Sequence, residues 1–150
     1  DCIKEWSTEW ALSNTFFIRK LVRQDCTDYL ALLQQLNGHI CDPNKFQTVF
    51  TSLCLSNSEI YVLIIEGKIV STLKIVFEIK FYDNVAHIED VITDMKHRKN
   101  GYASELIQYA IQQAKNKGCY KIVLNANNNV VYVYEKNGFI KKGVEMCLKL

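Results

Sequence analysis

The chain has a single proline, six glycines and no apolar run long enough to cross a bilayer. So little proline and glycine excludes a collagenous or linker-like chain and leaves room for long regular elements. Charge is nearly balanced, at +2 with a pI of about 8.2. The basic residues are scattered over polar faces, so the footprint of a nucleic-acid binder is missing. None of the six cysteines forms a CxxC pair, and no His lies at ligand spacing from one. That argues against a structural zinc site, and no metal is expected. A Walker loop would need Lys-Ser or Lys-Thr after its last glycine, and a dinucleotide fingerprint would need three spaced glycines. Neither occurs.

What is present is an ordinary globular composition, 49% hydrophobic and 23% charged over 150 residues, enough for one domain with a core. No secretory leader is visible, so the expectation is reduced thiols and a cytoplasmic location. Cys26, Cys54, Cys119 and Cys147 lie in apolar-periodic segments and read as small buried hydrophobes. Residues 1–14 read as an N-terminal extension. In it, Trp6 and Trp10 share the spacing of one helical face and suit docking against the body or a partner chain. Residues 15–150 read as the single domain.

Periodicity divides that domain into alternating elements. Phe16 to Leu21 reads as a strand. A helix follows from about Asp25, a plausible N-cap, to Leu36, and Asn37-Gly38 ends it. Asp42-Pro43 opens a second helix whose buried face is Phe46, Val49, Phe50 and Leu53. Ile60 to Ile65 and Lys68 to Lys80 are β-rich, with Glu66-Gly67 as a hairpin turn between them. After a turn at Tyr82 to Val85, His87 to Thr93 is the next strand. A helix to about Lys117 carries Ala103, Leu106, Ile107, Ala110 and Ala114 on one face. Tyr120 to Leu124 is a short buried strand. Asn127 to Asn129 cap a short helix containing Tyr132 and Tyr134, and Phe139 to Leu148 returns as a final strand. The order β-α-α-β-β-β-α-β-α-β predicts an α/β fold, a mixed sheet with helices on both faces.

The stretch with most chemical content is Arg98, Lys99, Asn100, Gly101, Tyr102, Ala103 and Ser104. It joins a strand to a helix start, where backbone N–H groups lack intrahelical partners and the dipole is positive. Such a place suits a phosphate group. Gly101 and Ala103 let an anion approach closely, and Arg98 adds a permanently charged fork. An ordinary strand-to-helix turn has the same residue types, so the loop gains meaning only from its surroundings.

A strand, an Arg-x-x-Gly-x-Ala loop, a helix, a strand, and then Tyr134-Glu135-Lys136-Asn137-Gly138-Phe139 together resemble the GNAT acetyltransferase superfamily. The order of elements matches over nearly the whole chain after Phe16. His87-Ile88-Glu89-Asp90-Val91, Cys119-Tyr120-Lys121-Ile122, the same Tyr134 to Phe139 run and Gly143-Val144-Glu145-Met146 are similar, more narrowly, to the family of eukaryotic glucosamine-6-phosphate N-acetyltransferases. The resemblance implies a splayed mixed sheet, acetyl-CoA as donor and glucosamine 6-phosphate as acceptor, in a step towards UDP-GlcNAc. It also implies a homodimer with active sites at the subunit interface.

By resemblance, the diphosphate of coenzyme A falls on the loop from Arg98 to Ser104. Val91, Ile92 and Thr93 line the pantetheine arm, and the Val91 amide is the candidate to polarise the thioester carbonyl. Glu89 and Asp90 fall at the sugar site. In a regular strand they would face opposite ways, and a bulge would turn both to the cleft. Tyr134 matches the tyrosine that donates to the departing sulfur, a role suited to a phenol protonated at neutral pH. Tyr120, Lys121 and Lys149, with Lys80, are candidates for the sugar phosphate, and Asn37 for another sugar contact. The chain departs from the family at Asn125, where an acid is usual. Asn cannot be a base, so Glu89 or Asp90 takes the proton or the amine arrives neutral; Asn125 remains a candidate cofactor contact. His97 reads as exposed. Two other readings stay open: acetyl transfer to another small amine or a peptide N-terminus, and an acetyl-CoA-binding module without turnover.

Overall fold

The computed structural model describes residues 15–150. The extension with Trp6 and Trp10 lies outside the described residues. Five strands form one sheet in chain order: β1 (Phe17–Lys20), β2 (Ser58–Ile65), β3 (Lys68–Glu78), β4 (Asn84–Thr93) and β5 (Cys119–Val123). The first three pairings are antiparallel and β4–β5 is parallel. The helices are α1 (Cys26–Asn37), α2 (Pro43–Cys54), α3 (Tyr102–Asn116) and the short α4 (Val131–Glu135).

Strand alternation decides which helix covers which face. On β2, Ile60, Val62 and Ile64 join Leu21, Tyr29, Leu32 and Phe46 beneath α1 and α2. The intervening Tyr61 and Leu63 face the other way, against Leu106, Ile107, Ala110 and Ala114 of α3. Both faces of β2 are covered, so Ile60 to Ile65 carries no charged residue, while on β3 the buried Ser71 and Thr72 are satisfied by hydrogen bonds with Thr93 Oγ1 and the Tyr61 carbonyl. A fully buried Leu or Ile contributes about 2 kcal/mol by leaving water, and Leu63, Leu73, Ile75, Leu106 and Ile107 are all fully buried. The small Ala110 and Ala114 let α3 lie close to the sheet.

Asp42 caps α2 as its residue type suggests, its carboxylate accepting from the Asn44 amide at 2.9 Å, with Pro43 in the first turn. Gly38 ends α1 in the left-handed region at φ 76°. Asp25 does not cap α1 with its side chain. A 3-10 turn over Arg23–Asp25 precedes the helix, and Asp25 forms a two-pronged pair with Arg19 at 2.7 and 2.9 Å. A fixed guanidinium fork is a stronger partner than a frayed helix amide. The polar turn before α4 works through backbone: the Asn127 carbonyl accepts from the amides of Val130 and Val131.

Some expectations need correction. Phe139 to Leu148 is not a strand. Residues 139–150 form no regular element, and 140–150 are exposed. Gly138 and Gly143, at φ 96° and 63°, bend the chain there, and among the described residues it pairs with no strand although the outer edge of β5 is open. β5 is an edge strand, with Tyr120 and Lys121 exposed rather than buried. β3 stops at Glu78, and β4 starts at Asn84, three residues before the expected His87. Cys54 and Cys147 are exposed, whereas Cys26 and Cys119 are part-buried.

Candidate active site

β4 and β5 pair only from Asn84 to His87 against Cys119 to Val123. Beyond His87, the edge of β4 that faced β5 has no strand partner among the described residues. The sheet therefore opens into a split that ends at the loop from Arg98 to Gly101.

The register of β4 on β3 shifts within that split. Lys74 pairs with Glu89 and Thr72 with Ile92, so Asp90 and Val91 together oppose the single residue Leu73. This is a β-bulge, and Asp90 takes φ 51° to make it. Such a φ is uncommon for a residue other than glycine, and Asp tolerates it better than most. The bulge breaks strand alternation, and Glu89 and Asp90 are both exposed at the mouth of the split. Val91, Ile92 and Thr93 follow, part-buried, along the open edge.

The far wall is the loop. Asp94 ends β4, and its carboxylate accepts from the Lys96 amide at 3.2 Å, from Gln35 Nε2 at 2.8 Å and from His97 Nδ1 at 2.7 Å. Gln35 of α1 also accepts from the Met95 amide at 2.9 Å, so α1 grips the turn at both residues. The Gln35 hydrogen bond, then the one from His97, hold the Asp94 carboxyl below its ordinary range. His97 is thus part-buried and paired rather than exposed. Arg98 donates through Nε to the Thr93 carbonyl at 3.1 Å. Lys99 and Gly101 take φ 65° and 80°, and α3 starts at Tyr102. Among the described residues, the amides of Gly101, Tyr102, Ala103 and Ser104 meet no protein acceptor; the first return bond runs from the Glu105 amide to the Gly101 carbonyl at 3.1 Å. A Cβ on Gly101 would meet nothing within 4 Å, so the left-handed turn itself, rather than crowding by the protein, favours glycine there.

A cleft of about 720 Å³ between β5, α4 and the chain after Gly138 brings Lys121, Asn125 and Tyr134 to one surface. Tyr134 is part-buried and edge-on to Phe139, with ring centroids 6.0 Å apart. Burial raises its phenol above the ordinary value. Tyr132, the competitor by position, is exposed.

The basic candidates do not meet the acids within one chain. Lys80 and Lys121 sit on an aromatic pair at the other end of the strands: Lys80 lies 5.7 Å from the Tyr82 ring, Tyr82 is 6.3 Å from Tyr120, and Lys121 lies 5.3 Å from the Tyr120 ring. Lys80 also pairs with Glu78 at 3.2 Å, and Glu78 with His87 Nε2 at 2.6 Å. Lys121 is level with Val85, so Glu89 lies about 13 Å further along β4. Lys149 is on the exposed tail, and Asn37 ends α1, its Oδ1 accepting from the His39 amide at 3.0 Å.

Sequence reasoning passed over Tyr29. It is buried on α1, which packs on β4, and its hydroxyl is held above its ordinary range first by burial and then by the charges of Asp90 and Cys41. The leucine spacing of α1 suggested a face through Leu30, Leu33 and Leu36, whereas the helix buries Tyr29 and Leu32, and the proximity of Tyr29 to Asp90 is a tertiary fact. Gln35 was passed over for the same reason.

A split mixed sheet with an open amide cradle at the first turn of its central helix defines an acyl-CoA-dependent acyltransferase architecture. Residues 22–139 match the acetyltransferase (GNAT) family, to which the chain belongs. It is 30% identical to a glucosamine 6-phosphate N-acetyltransferase of Arabidopsis thaliana, over 90% of this chain and 97% of that protein. It is 29% identical to a probable glucosamine 6-phosphate N-acetyltransferase 2 of rice, over 96% and 95%. The crystal structure of the glucosamine-6-phosphate N-acetyltransferase from Arabidopsis thaliana superposes with a TM-score of 0.83 at 29% identity, covering 91% of this chain and 99% of that one. A Trypanosoma brucei acetyltransferase gives 0.84 at 27%, covering 90% and 99%.

Proposed function

We propose that this chain transfers the acetyl group of acetyl-CoA to the amine of glucosamine 6-phosphate, giving N-acetylglucosamine 6-phosphate for UDP-GlcNAc synthesis. The observation that carries the reading is the bulge at Asp90, which breaks strand alternation and leaves two adjacent carboxylates exposed beside a split whose far end is a set of unpartnered amides. The named activity of relatives that match nearly the whole chain supports the choice of acceptor.

The loop amides and Arg98 hold the diphosphate, and the pantetheine arm lies along Val91 to Thr93 as an added strand would. The thioester carbonyl then accepts from the Val91 amide. Glu89 and Asp90 orient the sugar, and one of them takes the amine proton directly or through water; Asn125 has no basic atom for it. The amine nitrogen forms the new C–N bond and the C–S bond breaks. Tyr134, held protonated by burial, donates to the leaving sulfur. Alignment of two bound reactants supplies a large share of the acceleration, up to ~7–11 kcal/mol.

Within one chain the acids of the bulge and the basic aromatic cluster lie at opposite ends of β4, so a hexose phosphate would have to reach between them. A homodimer resolves this by bringing Tyr120 and Lys121 of a second copy to the acids of the first. Two features support it. β5 is an unprotected edge strand, and the tail exposes Ile140, Val144, Met146, Leu148 and Leu150, a combination that monomers avoid. A cytoplasmic location belongs to the same reading; among the described residues no helix is long and apolar enough to cross a membrane.

The test is thiol release from acetyl-CoA with glucosamine 6-phosphate, glucosamine and a panel of peptides. Release is expected with the sugar phosphate, and glucosamine is expected to need a concentration at least about tenfold higher, since a charge-assisted phosphate contact contributes about 1.5–3 kcal/mol. Release with peptides alone would replace the acceptor, and no release with any amine would leave a binding module.

A further inference from the structure

The side chain of Asn137 joins the two parts of the site that contact opposite ends of the donor. Its Nδ2 donates to the Val133 carbonyl at 2.7 Å and to Ser104 Oγ at 3.1 Å, and its Oδ1 accepts from Gln108 Nε2 at 2.8 Å. Val133 immediately precedes Tyr134 in α4. Ser104 is the third residue of α3, one of the four with an unpartnered amide at the anion loop. Both N–H groups of the amide are engaged, and its oxygen is engaged as well.

The polarity of this junction is fixed. A carbonyl can only accept, so Val133 determines that the nitrogen, not the oxygen, of the Asn137 amide lies on its side. The second N–H of that nitrogen then points to Ser104, whose oxygen acts as acceptor. A hydroxyl that accepts from one neighbour still has its own proton to give. Ser104 therefore has a donor left, at the helix turn whose amides face the loop.

We propose that Asn137 is a positioning residue: by occupying the Ser104 oxygen it aims the Ser104 hydroxyl proton at the diphosphate of the donor, and by holding Val133 it fixes Tyr134 relative to that seat. The inference rests on the acetyl-CoA reading of the loop. Asn137 itself touches no substrate. Its effect on donor binding runs through Ser104, and its effect on turnover runs through α4.

The test is a double-mutant cycle on the dissociation constant for coenzyme A, with acetyl-pantetheine, which lacks the diphosphate, as a second donor. Asn137→Ala and Ser104→Ala should each weaken coenzyme A binding about tenfold, the loss of one hydrogen bond to a charged group. The double variant should be no weaker than Ser104→Ala alone. With acetyl-pantetheine, Ser104→Ala should leave KM unchanged, while Asn137→Ala still lowers kcat through Tyr134. Gln108→Ala, on the exposed face of α3, is a milder variant for the case in which Asn137→Ala does not fold. It should weaken coenzyme A binding two- to threefold in the wild-type background and not at all beside Ser104→Ala. Additive losses in the cycle, or equal losses with both donors, would overturn the inference and leave Asn137 a packing residue. Failure of the wild-type chain to bind coenzyme A would instead overturn the reading of the loop.

Discussion

Tyr134→Phe lowers kcat about a hundredfold, ~2.7 kcal/mol on the barrier, and leaves the dissociation constant of coenzyme A within twofold. The ring that packs on Phe139 is retained in this variant, so the half-buried aromatic contact survives. Only the hydroxyl is lost, and with it the donor to the sulfur as charge develops there. Such a contact is made in the transition state more than in the ground state, so the loss appears in kcat. The pH dependence follows from the same burial. The folded pKa lies above the ordinary 10.0, so the donor is present at every lower pH and is removed only as pH rises through the raised value. Wild-type kcat should show no limb from this group below pH 10, and Tyr134→Phe should lack any limb above it. Equal losses in kcat and in cofactor affinity would assign Tyr134 to packing.

The second large effect comes from mixing two crippled chains. Asp90→Asn removes a carboxylate from the bulge, and Lys121→Glu sets a negative charge against the sugar phosphate. Each variant alone should fall about a hundredfold with glucosamine 6-phosphate, the first in kcat and the second in KM, because a lost or reversed charge contact costs a few kcal/mol. Co-expressed with different tags, the two form mixed dimers. If a site takes its acids from one copy and its lysine from the other, each mixed dimer has one intact site and one doubly altered site. Half of the dimers are mixed, so about a quarter of wild-type activity should return. If acids and lysine act within one chain, the mixture stays as inactive as its parts.

The architecture was legible because both sheet faces are covered by elements with strong periodicity. The β-rich run of β2, the Asp42-Pro43 opening of α2 and the apolar face of α3 each followed from local rules. The tail was misread for a physical reason. Its apolar residues have the spacing of a strand, but the left-handed turns at Gly138 and Gly143 carry it off the open edge of β5, so it pairs with nothing. The bulge was anticipated through family resemblance, since nothing local in Ile88-Glu89-Asp90-Val91 announces an extra residue. Its position became clear only from pairing with β3. Tyr29, Gln35 and the Asn137 junction were illegible because each depends on elements distant in sequence meeting in space. The separation of Lys121 from Glu89 was hidden for the same reason; the open edge of β5 and the exposed apolar tail support two copies.

The most direct measurement is a crystal structure with coenzyme A and glucosamine 6-phosphate both bound. The account predicts the diphosphate on the amides of Gly101 to Ser104, the sulfur within hydrogen-bonding reach of the Tyr134 hydroxyl, and the sugar amine beside Glu89 and Asp90 with its phosphate on Lys121 of a second copy. A diphosphate bound anywhere else, or a sugar held wholly by one chain, would contradict it.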